Sequence, residues 1–412
     1  MLVYHPGSRR RRSDDYSVVD EKHASRGTPR YLQISEMKMI FSVLIAAACG
    51  VASLFAGTSD DVTLVFAGDA MQHERQLNAA RRGDTYDYSA CFRHVTDYVA
   101  AADYAVVNLE CTLGGKPYTG YPCFSAPEEY ALALKDAGFD LFLHANNHCL
   151  DRRDAGLSRT LDALDKMGMS HIGTYRNATE RNNNYPLIVD VKGLKIGFLN
   201  YTYGTNGIEI RGAVVVDYIN KDIIKADIAN LRKNGAQMIV ACMHWGVEYI
   251  LTENSEQRSL AEFLSSQGVD LIIGGHPHVI QPMKVVTKAN GKKALVVYSM
   301  GNFLSGMRTA DTRGGAMVRV VIGRTNDGTP YLKDAFYNLV FVQDPENASD
   351  NYTLIPASKS HLVRPNQRAY YDKFTRNART IFKKHNVDVN EDEWRWSPAM
   401  LFTPLDLLEL AL

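Results

Sequence analysis

Beyond residue 60 the chain alternates compact apolar runs with longer stretches whose apolar residues recur at helical spacing. Val62 to Ala67, Tyr104 to Leu109, Phe139 to Leu143, Gln237 to Cys242, Val269 to Ile273 and Ala294 to Ser299 are short, rich in β-branched residues and bounded by turn residues, as buried strands are. Between them the pattern predicts helices over Tyr88 to Ala101, Glu128 to Ala137 and Asp222 to Lys233. A further helix is expected from Asp154 as its cap, through Leu157, Leu161 and Leu164, to the stop at Gly168. Asn254-Ser255-Glu256-Gln257 reads as a capping box opening one more, closed by Gly268. Lys192-Gly193 joins two extended runs as a hairpin, and Gly315 to Gly323 and Tyr331 to Val342 supply later extended segments.

Strands alternating with helices predict an α/β protein with a largely parallel sheet, where ligands sit beyond the carboxyl ends of the strands. The residues just past each strand are therefore informative. Gly274-Gly275-His276-Pro277-His278 succeeds one strand, and five other strands run into Asp, Glu, Asn or His. Asp69, Glu110, Asn147, His148, His244, His276 and His278 can thus converge on one rim. Carboxylate, amide and imidazole suit Zn, Mn or Fe(II), and no CxxC pair marks a thiolate zinc site. His94, His144 and His171 read as ordinary polar or half-buried residues.

Composition adds limits. A 45% hydrophobic content over 412 residues supports a sizeable core, and 46 basic against 46 acidic residues give no net field toward nucleic acid or a membrane surface. From Ile40 to Ser59 no residue is charged, and Lys38 and Arg9 to Arg12 precede this run, so it reads as a secretory signal or a membrane anchor with the rest of the chain exported. Ala46-Ala47-Ala48-Cys49 matches a lipoprotein box poorly. Of the cysteines after Cys49, Cys111 and Cys123 bracket a Gly- and Pro-containing loop and are the best-placed pair for a disulfide, while Cys91, Cys149 and Cys242 read as small core residues.

Six ordered motifs carry a resemblance: Gly68-Asp69, Asn108-Leu109-Glu110, Asn146-Asn147-His148 with Asp151, His244-Trp245-Gly246 with Glu248, Gly275-His276-Pro277-His278, and Tyr298 to Phe303 including Asn302. Over roughly residues 62 to 305 the chain resembles the CapA (PGA_cap) family of bacterial capsule and poly-γ-glutamate synthesis proteins, within the calcineurin-like metallophosphoesterase superfamily. The resemblance implies a four-layer α/β-β/α sandwich around two divalent metal ions, Mn, Zn or Fe. It implies Asp69 and His278 on the first metal, Glu110 bridging, and Asn147, His244 and His276 on the second. His148 would stand beside the site as acid or oxyanion stabiliser, with Asn302 near ligand or substrate; Glu248, four residues after His244, reads either as a partner that orients that histidine or as a surface carboxylate. Superfamily members carry Asp-x-His where this chain has Asp69 and then Met71, which leaves the first metal a ligand short and makes His73 a candidate substitute.

Two functions are implied: a metal-dependent hydrolase or transferase acting on an anionic envelope polymer or a phosphoester, or a non-catalytic component that binds such a polymer or assembles with membrane synthetase subunits. The location implied is periplasmic or on the outer face of the cytoplasmic membrane. The expected divisions are residues 1 to 36 as an over-called start or a disordered stretch, 37 to 57 as signal or anchor, 58 to 345 as the metal-binding domain, and 346 to 412 as a helical appendage.

Overall fold

The structure, a computed structural model, describes residues 60–392 apart from Ala348. The expected export segment and the end of the chain lie outside the described residues. The first strand, β1 (Val62–Ala70), is succeeded by α1 (Glu74–Ala80), α2 (Ser89–Phe92), α3 (Thr96–Ala100) and β2 (Tyr104–Leu109). Next come α4 (Glu128–Asp136), β3 (Leu141–Leu143), α5 (Arg153–Lys166) and β4 (Ser170–Ile172). These four strands lie side by side in parallel.

A hairpin of β5 (Leu187–Val191) and β6 (Leu194–Thr202), turning at Lys192-Gly193, begins a second sheet. It continues through α6 (Lys221–Lys233), β7 (Met238–His244), α7 (Ser255–Ser266), β8 (Leu271–Gly275), β9 (Met283–Thr287) and β10 (Lys293–Val297), in spatial order 9-10-8-7-6-5. The chain then returns to the first sheet. β11 (Asn302–Leu304) pairs with the end of β1, and β12 (Gly314–Arg324), β13 (Pro330–Gln343) and β14 (Thr353–Pro356) add antiparallel strands on the other side of β1. After β14 come α8 (Arg368–His385) and a short β15 (Asn390–Glu391) that pairs with β13. The segment expected as an appendage from 346 onward thus contributes two strands and a helix against the first sheet.

The pleat of β1 builds the layers. Val62, Leu64 and Phe66 join an apolar cluster with Phe198, Val240 and Ile273 of the second sheet, whereas Val65 and Ala67 face Phe92, Tyr98, Tyr130 and Leu134 of the flanking helical layer. Tyr104 and Phe198 meet across the sheets with ring centroids 5.5 Å apart. Ile228 and Leu231 of α6 and Leu260 and Leu264 of α7 are buried against the second sheet. The result is a four-layer α/β-β/α sandwich, with the first sheet parallel on one side of β1 and antiparallel on the other, and the second sheet parallel at its centre with an antiparallel strand at each margin. This is the sandwich that the resemblance implied; the largely parallel sheet read from strand–helix alternation holds only in part, because apolar periodicity marks a strand without naming its neighbour.

Local signals fared unevenly. Asn254 and Gln257 form the expected capping box, with Gln257 N donating to Asn254 Oδ1 at 2.8 Å and Asn254 N to Gln257 Oε1 at 3.0 Å. The helix expected over Tyr88 to Ala101 is instead two short helices broken after Phe92. Asp154 does not cap α5; the cap position is Arg152, and Asp154 Oδ2 accepts the backbone N–H groups of Arg211 and Gly212 from another loop. Cys111 is buried in the outer core and Cys123 is exposed, both as free thiols, so the expected disulfide does not form.

Candidate metal centre

The parallel strands of both sheets end at one rim, where the polar residues just past them meet. Asp69, at the end of β1, and Glu110, immediately after β2, are fully buried. Between them Asn108 donates from Nδ2 to Asp69 Oδ1 at 2.9 Å and to Glu110 Oε2 at 3.0 Å, while its Oδ1 accepts from Asn146 Nδ2 at 3.2 Å. One amide thus fixes both carboxylates. A Cβ on Gly275 would stand 2.7 Å from Asp69 Oδ1, so glycine is required where β8 passes the site.

The second sheet supplies the imidazoles. His244 ends β7 with Nε2 2.8 Å from Asn147 Oδ1 and 3.6 Å from Glu110 Oε1. His276 and His278 adopt φ of 98° and 58°, a left-handed backbone that non-glycine residues rarely take and that tends to mark functional loops. His276 N donates to Asp69 Oδ2 at 3.2 Å. His278 holds Nδ1 3.2 Å from Asp69 Oδ2 and 3.2 Å from Asn302 Oδ1, with Nε2 3.7 Å from Glu110 Oε1.

Two sets of ligand atoms lie within 4.8 Å of one another: Glu110 with His276 and His278, and Asp69 with Glu110 and His244. Glu110 belongs to both. The groupings cut across the allotment implied by the resemblance, since His276 falls beside His278 and His244 beside Asp69. Burial, then the adjacent Asp69 carboxylate, pushes the Glu110 pKa well up. Burial would also raise Asp69, but the His278 hydrogen bond and the nearby imidazoles hold it well below the usual carboxylate range. Burial first, then His278, lowers His276 to about 3, and burial with His276 lowers His244 as well. Both imidazoles are therefore neutral near pH 7, the form that ligates a cation.

These residues fit divalent metal. Glu110 Oε1 and His276 Nδ1 are buried and without hydrogen-bond partners, a costly state that a cation relieves. The oxygen and nitrogen donor set matches a hard or borderline ion.

His148 stands beside this group with a different set of partners. Its Nδ1 lies 2.8 Å from Asp151 Oδ2, which also accepts the Phe124 N–H at 2.7 Å, and the Phe124 ring packs edge-on at 4.6 Å. His73 is in neither ligand set: its Nδ1 accepts from Gly306 N at 3.1 Å, its ring leans on Phe124, and it occupies the cap position of α1. Met71 packs in the outer apolar core. Glu248, expected beside His244, lies 3.9 Å from His278 Nε2. Asn302 anchors His278 and donates from Nδ2 to Thr312 O at 2.9 Å.

Sequence reasoning missed the rim aromatics. Tyr203, just after β6, is 48% exposed with its ring 4.5 Å from that of His276, and Tyr249 is 53% exposed and 6.2 Å from that of His278. Tyr203 could have been found by its position, one residue past a strand end like the ligands themselves.

His144, expected as an ordinary polar residue, is fully buried with Nδ1 2.8 Å from Thr174 Oγ1. Burial, then nearby His171, lowers its pKa from 6.5 to about 3. As pH falls below 6.5 the unfolded chain takes up a proton that the native state refuses until about pH 3, so stability is lost across that window. The slope approaches about 1.4 kcal/mol per pH unit at its acid end. His144→Gln is expected to remove about one proton from the pH dependence of urea unfolding between pH 6 and 4; an unchanged slope excludes His144 as its source.

Two facing sheets whose strand ends gather buried carboxylates and imidazoles define a four-layer α/β protein with a candidate metal centre. Residues 63–307 match the family model described as bacterial capsule synthesis protein PGA_cap. The capsule biosynthesis protein CapA of Bacillus anthracis is 28% identical over 318 residues, 72% of this chain and 74% of that protein. The PGA biosynthesis protein CapA of Bacillus subtilis (strain 168) is 28% identical over 284 residues, 66% of this chain and 70% of that protein. Among solved structures, the NAD nucleotidase NadN of Haemophilus influenzae aligns with a TM-score of 0.45 at 12% identity, over 81% of this chain and 57% of its own, so the chain spans little more than half its length. The chain belongs to the PGA_cap family of bacterial capsule synthesis proteins.

Proposed function

We propose that this protein is exported and acts as a metal-dependent hydrolase or transferase in the synthesis or processing of capsule or a poly-γ-glutamate-type envelope polymer. The observation that carries the reading is the buried, unpartnered Glu110 Oε1 between His244 and His278. Asp69, Glu110, Asn147, His244, His276 and His278 would hold two divalent cations. When bound, these supply Lewis acidity and a water of lowered pKa for attack at phosphorus or carbonyl carbon.

The chain's own residues do the rest. Asn108 keeps both carboxylates aimed at the centre, and the Asp69 and Asn302 oxygens fix the ring of His278. The Asp151 carboxylate holds the His148 Nδ1–H, leaving Nε2 to hand a proton to the leaving group. Phe124 covers one side of that imidazole and limits access of water.

Metal analysis of the purified protein, paired with turnover of a generic phosphodiester and of γ-linked glutamate oligomers, tests this reading. Chelator-sensitive turnover of either substrate is expected; metal-loaded protein that processes neither overturns the catalytic part. The burial of Met71 in the core, where the superfamily pattern has a histidine, favours the alternative, a non-catalytic component that binds polymer or assembles with membrane synthetase subunits.

Export rests on the uncharged run Ile40 to Ser59. Fractionation of cells expressing the full chain is expected to place the protein outside the cytoplasm, in the periplasm or on the outer face of the cytoplasmic membrane. A soluble cytoplasmic product with an intact amino terminus contradicts it.

A further inference from the structure

The carboxyl-terminal helix α8 has two unlike faces. Tyr371, Phe374, Thr375, Ala378 and Phe382 are buried, with Phe382 4.4 Å from Tyr337 of β13 between ring centroids. The outward face carries Arg368, Arg376, Arg379 and Lys383, which with Ser360, Thr380 and one acidic residue, Asp372, line an open groove of about 640 Å³. Successive cations stand about one to two turns apart, and the row from 368 to 383 extends roughly 22 Å.

Helix stability does not account for this charge. The 18-residue helix holds six Lys and Arg residues against one Asp, in a chain whose formal net charge is zero. Basic residues in its last turn, Lys383, Lys384 and His385, suit the helix dipole. Arg368 at the first position opposes the dipole, and no acidic residue occupies the first turn to offset it. Internal pairing is incomplete as well. Arg379 forms a two-pronged pair with Glu391, and Arg368 is 3.9 Å from Asp372, but among the described residues Arg376 and Lys383 make no ion pair. A row of exposed cations over a groove, partly unneutralised, is the complement of an extended anion.

We propose that this groove is a second binding site, separate from the metal centre, for an extended polymer carrying regularly spaced carboxylates. The inference rests on the proposed role with an anionic envelope polymer and adds where that polymer is held. The groove does not share side chains with the metal centre. α8 connects to the centre through Asn377, which donates to Asp311 Oδ1 at 2.7 Å, and the adjoining Thr312, whose carbonyl anchors Asn302. A polymer seated along α8 is tethered while another stretch of it reaches the metal centre. The guanidinium fork of Arg376 suits a carboxylate and Lys383 adds a point charge, while Arg368 and Arg379 add positive field although already engaged with Ser360 and Glu391.

The test uses the full chain in chelator, so that bound metal makes no contribution. Binding of defined-length poly-γ-glutamate and of hyaluronan, which shares its carboxylate chemistry, is measured by fluorescence anisotropy across a salt series. The doubly substituted Arg376→Glu, Lys383→Glu protein is expected to bind both polymers at least about tenfold more weakly and with a shallower salt dependence. The Arg376→Gln, Lys383→Gln protein should fall between that variant and wild type, with metal content and small-substrate turnover unchanged in both, since the positions are exposed. Polymer affinity unaffected by either variant overturns the proposal. So does a loss confined to duplex DNA or phosphatidylserine vesicles, which would assign the groove to another class of macromolecule. Failure of the catalytic reading appears separately, as absent turnover in the metal-loaded wild type.

Discussion

Replacing His148 by Asn is expected to leave metal content near wild type while slowing turnover by roughly 100- to 10,000-fold, the range for loss of a general acid. The geometry separates this histidine from the ligands. His244, His276 and His278 each approach Glu110 or Asp69, whereas His148 Nδ1 is committed to Asp151 at 2.8 Å and its ring to Phe124. Asparagine keeps a polar group of similar reach at Nδ1 but has no titratable proton to give. Asp151→Asn is expected to have a smaller effect in the same direction, because the imidazole stays in place while its preferred tautomer is lost. His276→Ala should instead lose metal. Inductively coupled plasma analysis beside single-turnover rates distinguishes the cases, and equal metal loss in His148→Asn and His276→Ala would show that their roles are misassigned.

The set of strand ends was legible in the sequence. A buried strand must terminate at a sheet edge, and a carboxylate or imidazole placed there can reach a common rim; so Asp69, Glu110, Asn147, His244, His276 and His278 could be gathered before any pairing was known. The edge that each strand shares with its neighbours was not legible. The return of β11 to β1, which brings Asn302 to His278, joins residues more than 230 positions apart, and nothing local in either strand encodes it. Asn108 was visible in a motif but not as the hub between two carboxylates, because an amide's role depends on which acceptors the fold aims at it. Cys111 and Cys123 looked paired by spacing alone, yet one faces the core and the other solvent. Asp154 had the composition of a helix cap and was drawn off by two N–H groups from a distant loop. In each failure a tertiary partner outcompeted a local rule.

Replacing Glu110 by Gln is expected to abolish metal-dependent stabilisation altogether, while leaving the metal-free protein as stable as wild type or more so. Glu110 is the member common to both candidate ligand sets, so an amide in its place removes the anionic ligand that two cations would share. Without metal, the wild-type carboxyl is a liability: it is fully buried, and burial with Asp69 raises its pKa well above 4.5. Raised folded-state affinity for a proton means that the native state holds the proton where the unfolded chain has released it. The metal-free protein therefore loses stability as pH rises above about 4.5, and a neutral glutamine escapes that loss. Saturating metal reverses the order, since a ligand at 1,000 times its Kd adds about 4 kcal/mol per site. Thermal unfolding at pH 7.5, in chelator and then in excess Mn or Zn, should show a large upward shift for wild type and none for Glu110→Gln. Asp69→Asn, which touches one set, should lose one step of the metal titration and keep the other. A Glu110→Gln protein that unfolds early even in chelator would make the residue structural, and loss of a single step would mean that Glu110 does not bridge.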